Sequence, residues 1–129
     1  MHVSKEVDYG LRLAIILAEG RCAAKDLAER YQIPHNFVQL ILPKLVRAGI
    51  VQAVPKTKGE YELLKAPKNL SLLDIVIALE GPVDLMGRHY AKAHARDSKF
   101  VHMLEVWHGI QADVVKHLGS ITLDKMLES

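Results

Sequence analysis

The sequence predicts a mainly α fold, a winged helix-turn-helix with a long C-terminal helix. Two observations support this prediction. Apolar residues recur at helical spacing in several separate segments, and most of these segments are bounded by a residue that caps or ends a helix. After the third segment the spacing changes to that of two short strands. With 129 residues, 50% of them apolar, the chain has the length of one compact domain with a single core.

Three helices are predicted before the first strand. The first begins at Ser4, a good N-cap, and ends at Gly20. The second, AAKDLAERYQI, is interrupted by the pair Ile33-Pro34, because a residue that precedes proline disfavours the helical backbone. The third, PHNFVQLILPKLVRAGI, begins near Pro34 and stops at Gly49. The second and third helices with their turn predict a helix-turn-helix.

The third predicted helix has two chemically different sides. The apolar side is expected to face the core and contains Phe37, Leu40, Ile41 and Leu45. The other side is polar and contains His35, Asn36, Gln39, Lys44 and Arg47. Helical spacing largely separates the two sets. The polar side is therefore the candidate binding face.

The remaining elements are a hairpin and three further helices. Alternating spacing predicts two strands, IVQAV and YELL, joined by the turn PKTKGE, and this hairpin forms the wing. Ser71 caps the helix SLLDIVIALEG, SKFVHMLEVWHGIQADVVKHLGS is a longer helix, and ITLDKMLES is a short terminal one. We divide the chain into a winged helix-turn-helix domain, residues 1–81, and a segment of loop, long helix and terminal helix, residues 82–129.

An apolar stripe follows the long helix. It contains Phe100, Met103, Leu104, Trp107, Val114 and Leu118. This stripe is too long for one small domain to cover, so the long helix is predicted to be the dimerisation helix of an obligate homodimer.

Charge and composition exclude several classes of function. The segment His35–Lys68 has six Lys and Arg against two Glu, whereas the whole chain has a net charge of only +2. Such a basic segment is typical of a face that binds a polyanion. The sequence lacks the common motifs of hydrolases, metalloproteases and nucleotide-binding enzymes, so we expect no enzyme. It also lacks a membrane span and a signal peptide, so we expect a cytoplasmic protein without membrane contact.

Several blocks of the sequence resemble one bacterial family. EVDYGLRLAIILA, KDLAERYQIPHNFVQLILPKLVRAGIV, KGEYELLKAP, LSLLDIVIALEGPV and ITLDKML occur in the order found in the Rrf-two regulators, which include the IscR, NsrR and CymR types. The resemblance covers nearly the whole chain. It implies a homodimeric transcription regulator, expected to act as a repressor, with double-stranded DNA as its partner. The dimer would be built on the long helix, with each wing beside a recognition helix.

The resemblance also implies which residues contact DNA. The candidates are His35, Asn36, Gln39, Lys44, Arg47, Lys56, Thr57, Lys58 and Lys5. Asn and Gln can bond adenine, and His can donate to guanine. Lys and Arg contribute affinity through phosphates. The wing departs from the family pattern, since Pro55 replaces the usual arginine and Glu60 a usual glycine, which indicates weaker or differently selective wing contact.

Many Rrf-two members hold an iron–sulfur cluster on three cysteines in the loop after the ALEGP helix. Here that loop, GRHYAKAHARD, has no cysteine, and Cys22 is the only cysteine in the chain. We therefore expect no cluster and no other cofactor. His89 and His94 are weak candidates for a metal site, but Arg88, Lys92 and Arg96 place positive charge beside them, so no metal is predicted.

Three interpretations remain open from the sequence. The favoured one is a clusterless DNA-binding regulator, with an unknown small-molecule or protein effector. The second retains the fold and adds sensing of a metal or haem through histidines. The third makes the winged helix a protein-interaction module without a DNA site.

Overall fold

The computed structural model describes residues 3–85 and 98–127. Along the chain it contains α1 (Lys5–Glu19), β1 (Cys22–Ala23), α2 (Ala24–Glu29), α3 (His35–Arg47), β2 (Val51–Ala53), β3 (Glu60–Leu63), a 3-10 turn (Pro67–Asn69), α4 (Leu72–Glu80), α5 (Ser98–Ser120) and α6 (Leu123–Leu127). The mainly α winged helix-turn-helix is confirmed. Within the described ranges no helix is both long and apolar enough to cross a membrane.

Caps fix the ends of the helices as the sequence predicts. The Ser4 hydroxyl accepts a hydrogen bond from the amide of Val7 at the start of α1. Ser71 and Asp74 form a reciprocal capping box at the start of α4, with bonds of 2.9 and 3.0 Å. Each bond satisfies an amide that would otherwise lack an intrahelical partner.

The helix α2 is shorter than predicted. It ends at Glu29, because the amides of Arg30 and Tyr31 both bond to the carbonyl of Asp26 and Gln32 has a φ of 58°. This left-handed residue turns the chain, so Tyr31 lies exposed beyond the helix rather than on its apolar face.

The wing is part of a sheet of three strands, not two. The strand order is β1-β3-β2, and both pairs are antiparallel. Cys22 pairs with Tyr61 and Ala53 pairs with Tyr61 from the other side. The sequence prediction missed β1, because a strand of two residues has no periodicity to detect.

One core joins the helices to the sheet. Its fully or nearly fully buried side chains include Leu13, Leu17, Leu27, Val38, Ile41, Leu45, Ile50, Leu70, Ile75, Leu79 and Leu123. Leu123 belongs to α6, and the amides of Leu72 and Leu123 bond the carbonyls of Ile121 and Leu70, both at 2.8 Å. The helix α6, which belongs to the predicted segment 82–129, therefore packs into the core of the predicted domain 1–81.

The core-facing side of α3 differs from the prediction. Ile41 and Leu45 are buried, but Val38 and Leu42 complete the buried face. Leu40 is 45% exposed. Successive helical residues are about 100° apart, so Leu40 lies on the side opposite Val38 and Leu42. The assignment of Leu40 to the core was wrong.

Candidate nucleic-acid interface

The turn between α2 and α3 sets the position of the third helix. The amide of Ile33 bonds the carbonyl of Leu27 at 3.2 Å, and the amides of Phe37 and Val38 bond the carbonyl of Pro34 at 2.9 and 3.1 Å. Pro34 occupies the N-cap position, but it offers no capping side chain. The first turn of α3 thus presents backbone amides that no side chain caps, and such amides favour anions.

The exposed face of α3 gathers most of the predicted recognition residues. His35, Asn36, Gln39 and Arg47 are all exposed. Asn36, Leu40, Pro43 and Arg47 follow one another at spacings of four and three residues and therefore form a ridge along the helix. We call these four residues the α3 ridge. His35 and Gln39 lie along one side of it.

Lys44 is turned away from this face. Its ammonium group donates to a carboxylate oxygen of Glu6 at 2.6 Å and to the carbonyl oxygen of Leu79 at 3.2 Å. The side chains of Lys44 and Glu6 are only 31% and 19% exposed. Lys44 thus links α3 to α1 and α4. This internal ion pair competes with a phosphate contact, so we do not assign Lys44 to the DNA interface.

The tip of the wing presents two lysines. Lys56 and Lys58 are exposed, and Lys56 has a φ of 61°. Between them, the Thr57 hydroxyl donates to the carbonyl of Val54 at 2.8 Å and accepts from the amide of Glu60 at 3.1 Å. Thr57 therefore closes the wing turn, and the exposed side chains of Lys56 and Lys58 extend from this turn into solvent.

A hydrogen bond and an ion pair that the sequence did not reveal hold the base of the wing against the helix-turn-helix. The amide of Ala24, at the start of α2, bonds the carbonyl of Gly59 at 3.0 Å. Arg21 lies 3.6 Å from the carboxylate of Glu60. The charge of Glu60 is thus balanced within the chain, which lowers the repulsion expected between this glutamate and a phosphate. Arg21 precedes the missed strand β1, and no sequence signal connects it to the wing.

Lys5 is the first residue of α1 and is exposed. Its neighbour Glu6 pairs with Lys44 of α3, so the start of α1 lies near the C-terminal half of α3. Lys5 therefore remains a candidate for a phosphate contact beside α3.

The predicted dimer stripe on α5 is divided in the structure. Leu104 is only 7% exposed in the single chain, and Val114 and Leu118 line a cleft between α5, the start of α1 and the end of α4. Phe100, Met103 and Trp107 are half-buried. Two exposed residues missed by the sequence analysis, Val106 (50%) and Ile110 (41%), extend the apolar surface beside Met103 and Trp107.

The Cys22 thiol lies in β1 and is half-buried. Its Sγ is 3.5 Å from the carbonyl oxygen of Ala23. Burial raises the pKa of this thiol, and the negative charge of Asp26 adds to the increase. A raised pKa leaves less of the reactive thiolate at neutral pH. The structure therefore does not favour Cys22 as a sensor.

Alkylation of Cys22 by iodoacetamide is expected to be slower at neutral pH than alkylation of free cysteine. The rate should rise with pH along a curve whose midpoint lies above that of an ordinary thiol, because only the thiolate reacts. Mass spectrometry of timed samples measures the rate. The same protein unfolded in urea is the control and should show the ordinary midpoint; a midpoint below it in the folded protein would contradict the prediction.

Neither residues 3–85 nor 98–127 contain a group of three or more His, Cys, Asp or Glu side chains arranged to hold a metal ion. The candidate ligands His89 and His94 lie outside the described residues, so the prediction about them stays a prediction.

Comparisons with known proteins identify the family. Residues 3–129 match the model of the Rrf2 family, described as an iron-dependent transcriptional regulator. An HTH-type transcriptional regulator of Synechocystis is 36% identical over 88% of this chain and 76% of its own. The regulator CymR of Bacillus subtilis is 26% identical over 98% of this chain and 89% of its own.

A solved structure agrees with these sequence matches. The oxidized form of Staphylococcus aureus CymR superposes with a TM-score of 0.76 and 25% identity, covering 100% of this chain and 98% of the other. The superposition covers the whole chain, so the two proteins share the winged helix-turn-helix fold. The chain belongs to the Rrf2 family of DNA-binding transcriptional regulators.

Proposed function

We propose that this regulator is a homodimeric repressor that binds a pseudo-palindromic DNA operator and holds no iron–sulfur cluster. The observation that carries the proposal is the exposed face of α3, where Asn36, Gln39 and Arg47 stand clear of the core. Amide side chains can bond both N6 and N7 of adenine in the major groove, and arginine can bond guanine or a phosphate. This face therefore has the chemistry to read bases.

Exposed cations around this face would supply most of the affinity for DNA. Lys56 and Lys58 at the wing tip, with Lys5 at the start of α1, are exposed and can neutralise phosphates. Phosphate contacts fix the position of a protein on the duplex but carry no direct sequence information. The wing and α1 thus hold the DNA while α3 reads it.

The homodimer is supported by apolar surface on α5. Val106 and Ile110 are exposed, and Met103 and Trp107 beside them remain half-buried in the single chain. Contiguous exposed apolar surface of this kind marks an interaction site. A two-fold axis at α5 would place two α3 helices on half-sites about 34 Å apart, or a multiple of that distance. A dimer bound in this way occludes the promoter DNA that it covers, which is the basis of the proposed repression.

The chain offers too few thiolate ligands for an iron–sulfur cluster. Iron–sulfur clusters are held by thiolates, commonly four. This chain has one cysteine, and Cys22 is a half-buried residue of the sheet that pairs with Tyr61 of β3. These residues do not fit the cluster that an iron-dependent regulator would hold. We therefore propose that a small molecule or a protein acts as the effector.

Selection of bound sequences from random double-stranded DNA tests the proposal. The expected result is a pseudo-palindromic motif, and transcription from a promoter that carries the motif should fall when the protein is added. No motif and no dependence of binding on salt would favour the protein-interaction module instead. Stoichiometric metal or a haem absorption band in untagged protein, lost in the double variant His89→Ala/His94→Ala, would favour sensing through histidines.

Replacing Lys58 by alanine is expected to weaken binding to all DNA sequences alike. Loss of one phosphate contact should reduce the slope of log K against log salt by about 0.9. Lys44→Met is the matched control. Lys44 is already paired with Glu6 inside the protein, so its replacement should leave the slope unchanged. Fluorescence anisotropy over a series of salt concentrations measures both slopes. Equal reductions in the two variants would contradict the assignment.

A further inference from the structure

The α3 ridge has an apolar centre. Leu40 is 45% exposed and Pro43 is also exposed, whereas Asn36 and Arg47 at the two ends of the ridge are polar. The recognition helix therefore presents a leucine and a proline at the place where a base-reading helix meets the floor of the major groove.

Neither residue is explained by folding. Leu40 lies on the side of α3 opposite the buried Val38 and Leu42 and is 45% exposed, so its side chain does not fill the core. Pro43 lies inside the helix and has no amide hydrogen, so it cannot donate the usual bond to the carbonyl of Gln39. Pro43 weakens the helix, and although leucine is a good helix former, glutamine, lysine and arginine are nearly as good, so helix propensity does not explain an exposed apolar side chain at position 40.

The surroundings of Leu40 point to DNA as its partner. The segment His35–Arg47 contains no Asp or Glu, and Arg47 with the wing lysines makes this side of the protein attractive to a polyanion. An apolar protein groove would not require such charges. Within the major groove the one apolar group on the base edges is the 5-methyl of thymine, which alanine, threonine and phenylalanine side chains are known to contact.

We propose that Leu40, flanked by Pro43, packs against the 5-methyl group of a thymine near the centre of each operator half-site. This inference rests on the proposed function, because it needs α3 in the major groove. Asn36 is four residues before Leu40 and Gln39 is next to it, and both side chains suit adenine. Leu40 and its amide neighbours would thus together select A·T pairs of a defined orientation, with the leucine distinguishing thymine from the other three bases.

Deoxyuridine tests the contact directly. It pairs with adenine as thymidine does and lacks only the 5-methyl group. In the operator recovered by selection, each thymidine is replaced in turn by deoxyuridine, and affinity is measured by fluorescence anisotropy. Burial of one methyl-sized apolar group is worth about fourfold in affinity. We expect a loss of about fourfold at one thymine of a half-site and of about sixteenfold when both half-sites are changed.

Two variants identify the residue that senses the methyl group. In Leu40→Ala the same deoxyuridine substitution should have little effect, since the contact is already lost. Leu64→Ala is the matched control, because Leu64 is also an exposed leucine (49%) but follows β3, outside α3. It should keep the full fourfold loss. Circular dichroism and melting curves show that both variants fold.

The outcomes separate this inference from the proposed function. If the protein selects an operator but deoxyuridine is tolerated at every position, or if Leu40→Ala keeps the fourfold loss, the thymine contact is refuted and the regulator remains a DNA-binding protein. If selection returns no motif at all, the proposed function fails and this inference fails with it.

Discussion

Replacing Ile110 by glutamate is expected to convert the proposed homodimer into monomers. Ile110 is 41% exposed and lies beside Val106, Met103 and Trp107 on α5. In the proposed dimer each of the two symmetric copies would bury a carboxylate in an apolar interface, and a buried unpaired charge costs about 3–5 kcal/mol. Because the residue is exposed in the single chain, the variant should still fold. Light scattering at micromolar concentration measures the mass.

The consequence for DNA binding should be as large. A monomer contacts one half-site only and loses the gain in affinity that two linked half-sites provide, which can reach 10²-fold or more. Ile110→Glu should therefore bind the full operator no better than an isolated half-site. An unchanged mass together with unchanged operator affinity would place the dimer interface elsewhere.

Val101→Glu is the matched control for this experiment. Val101 is 39% exposed on the same helix. It precedes Ile110 by nine residues, or about two and a half turns, and so lies on the other side of α5. This variant introduces the same charge at similar exposure. It should remain a dimer with full operator affinity.

The sequence predicted the elements of the fold well because their signals are local. Ser4, Gly20 and Ser71 mark helix ends in the structure as they do in the sequence. The orientation of α3 was harder to predict, because apolar residues occur all round this helix. Leu40 and Leu42 are chemically identical in the sequence, and only packing against the rest of the core buries Leu42 and leaves Leu40 exposed.

Two charge contacts that the sequence did not reveal join residues far apart in the chain. Lys44 appears in the sequence as a free cation on a polar face, but Glu6 and the carbonyl of Leu79 bind it in the structure. The pair Arg21 and Glu60 depends on the two-residue strand β1, which has no pattern of its own. A cation that helical spacing places on a polar face can therefore be assigned to DNA only after the tertiary structure shows whether it is already paired within the protein.

The close approach of α1 to α4 is also a tertiary feature, and it requires a glycine. Gly10 is buried. A Cβ atom at this position would overlap Leu79 Cδ1 and would lie 3.8 Å from Ile41 Cγ2. Leu79 and Ile41 are themselves 4% and 0% exposed, so neither has free space to move into. The absence of a side chain at Gly10 thus allows α1 to pack against both α3 and α4.

Gly10→Leu is accordingly expected to lower the free energy of unfolding by about 3 kcal/mol or more, since a whole side chain must enter a packed core. This is a large part of the 5–15 kcal/mol typical of a folded domain. Gly109→Leu is the control, because a Cβ at Gly109 on α5 meets open space. Leucine is a better helix former than glycine, so the control should gain up to about 1 kcal/mol. Urea titration followed by circular dichroism measures both variants, and equal effects at the two glycines would show that helix propensity rather than packing governs Gly10.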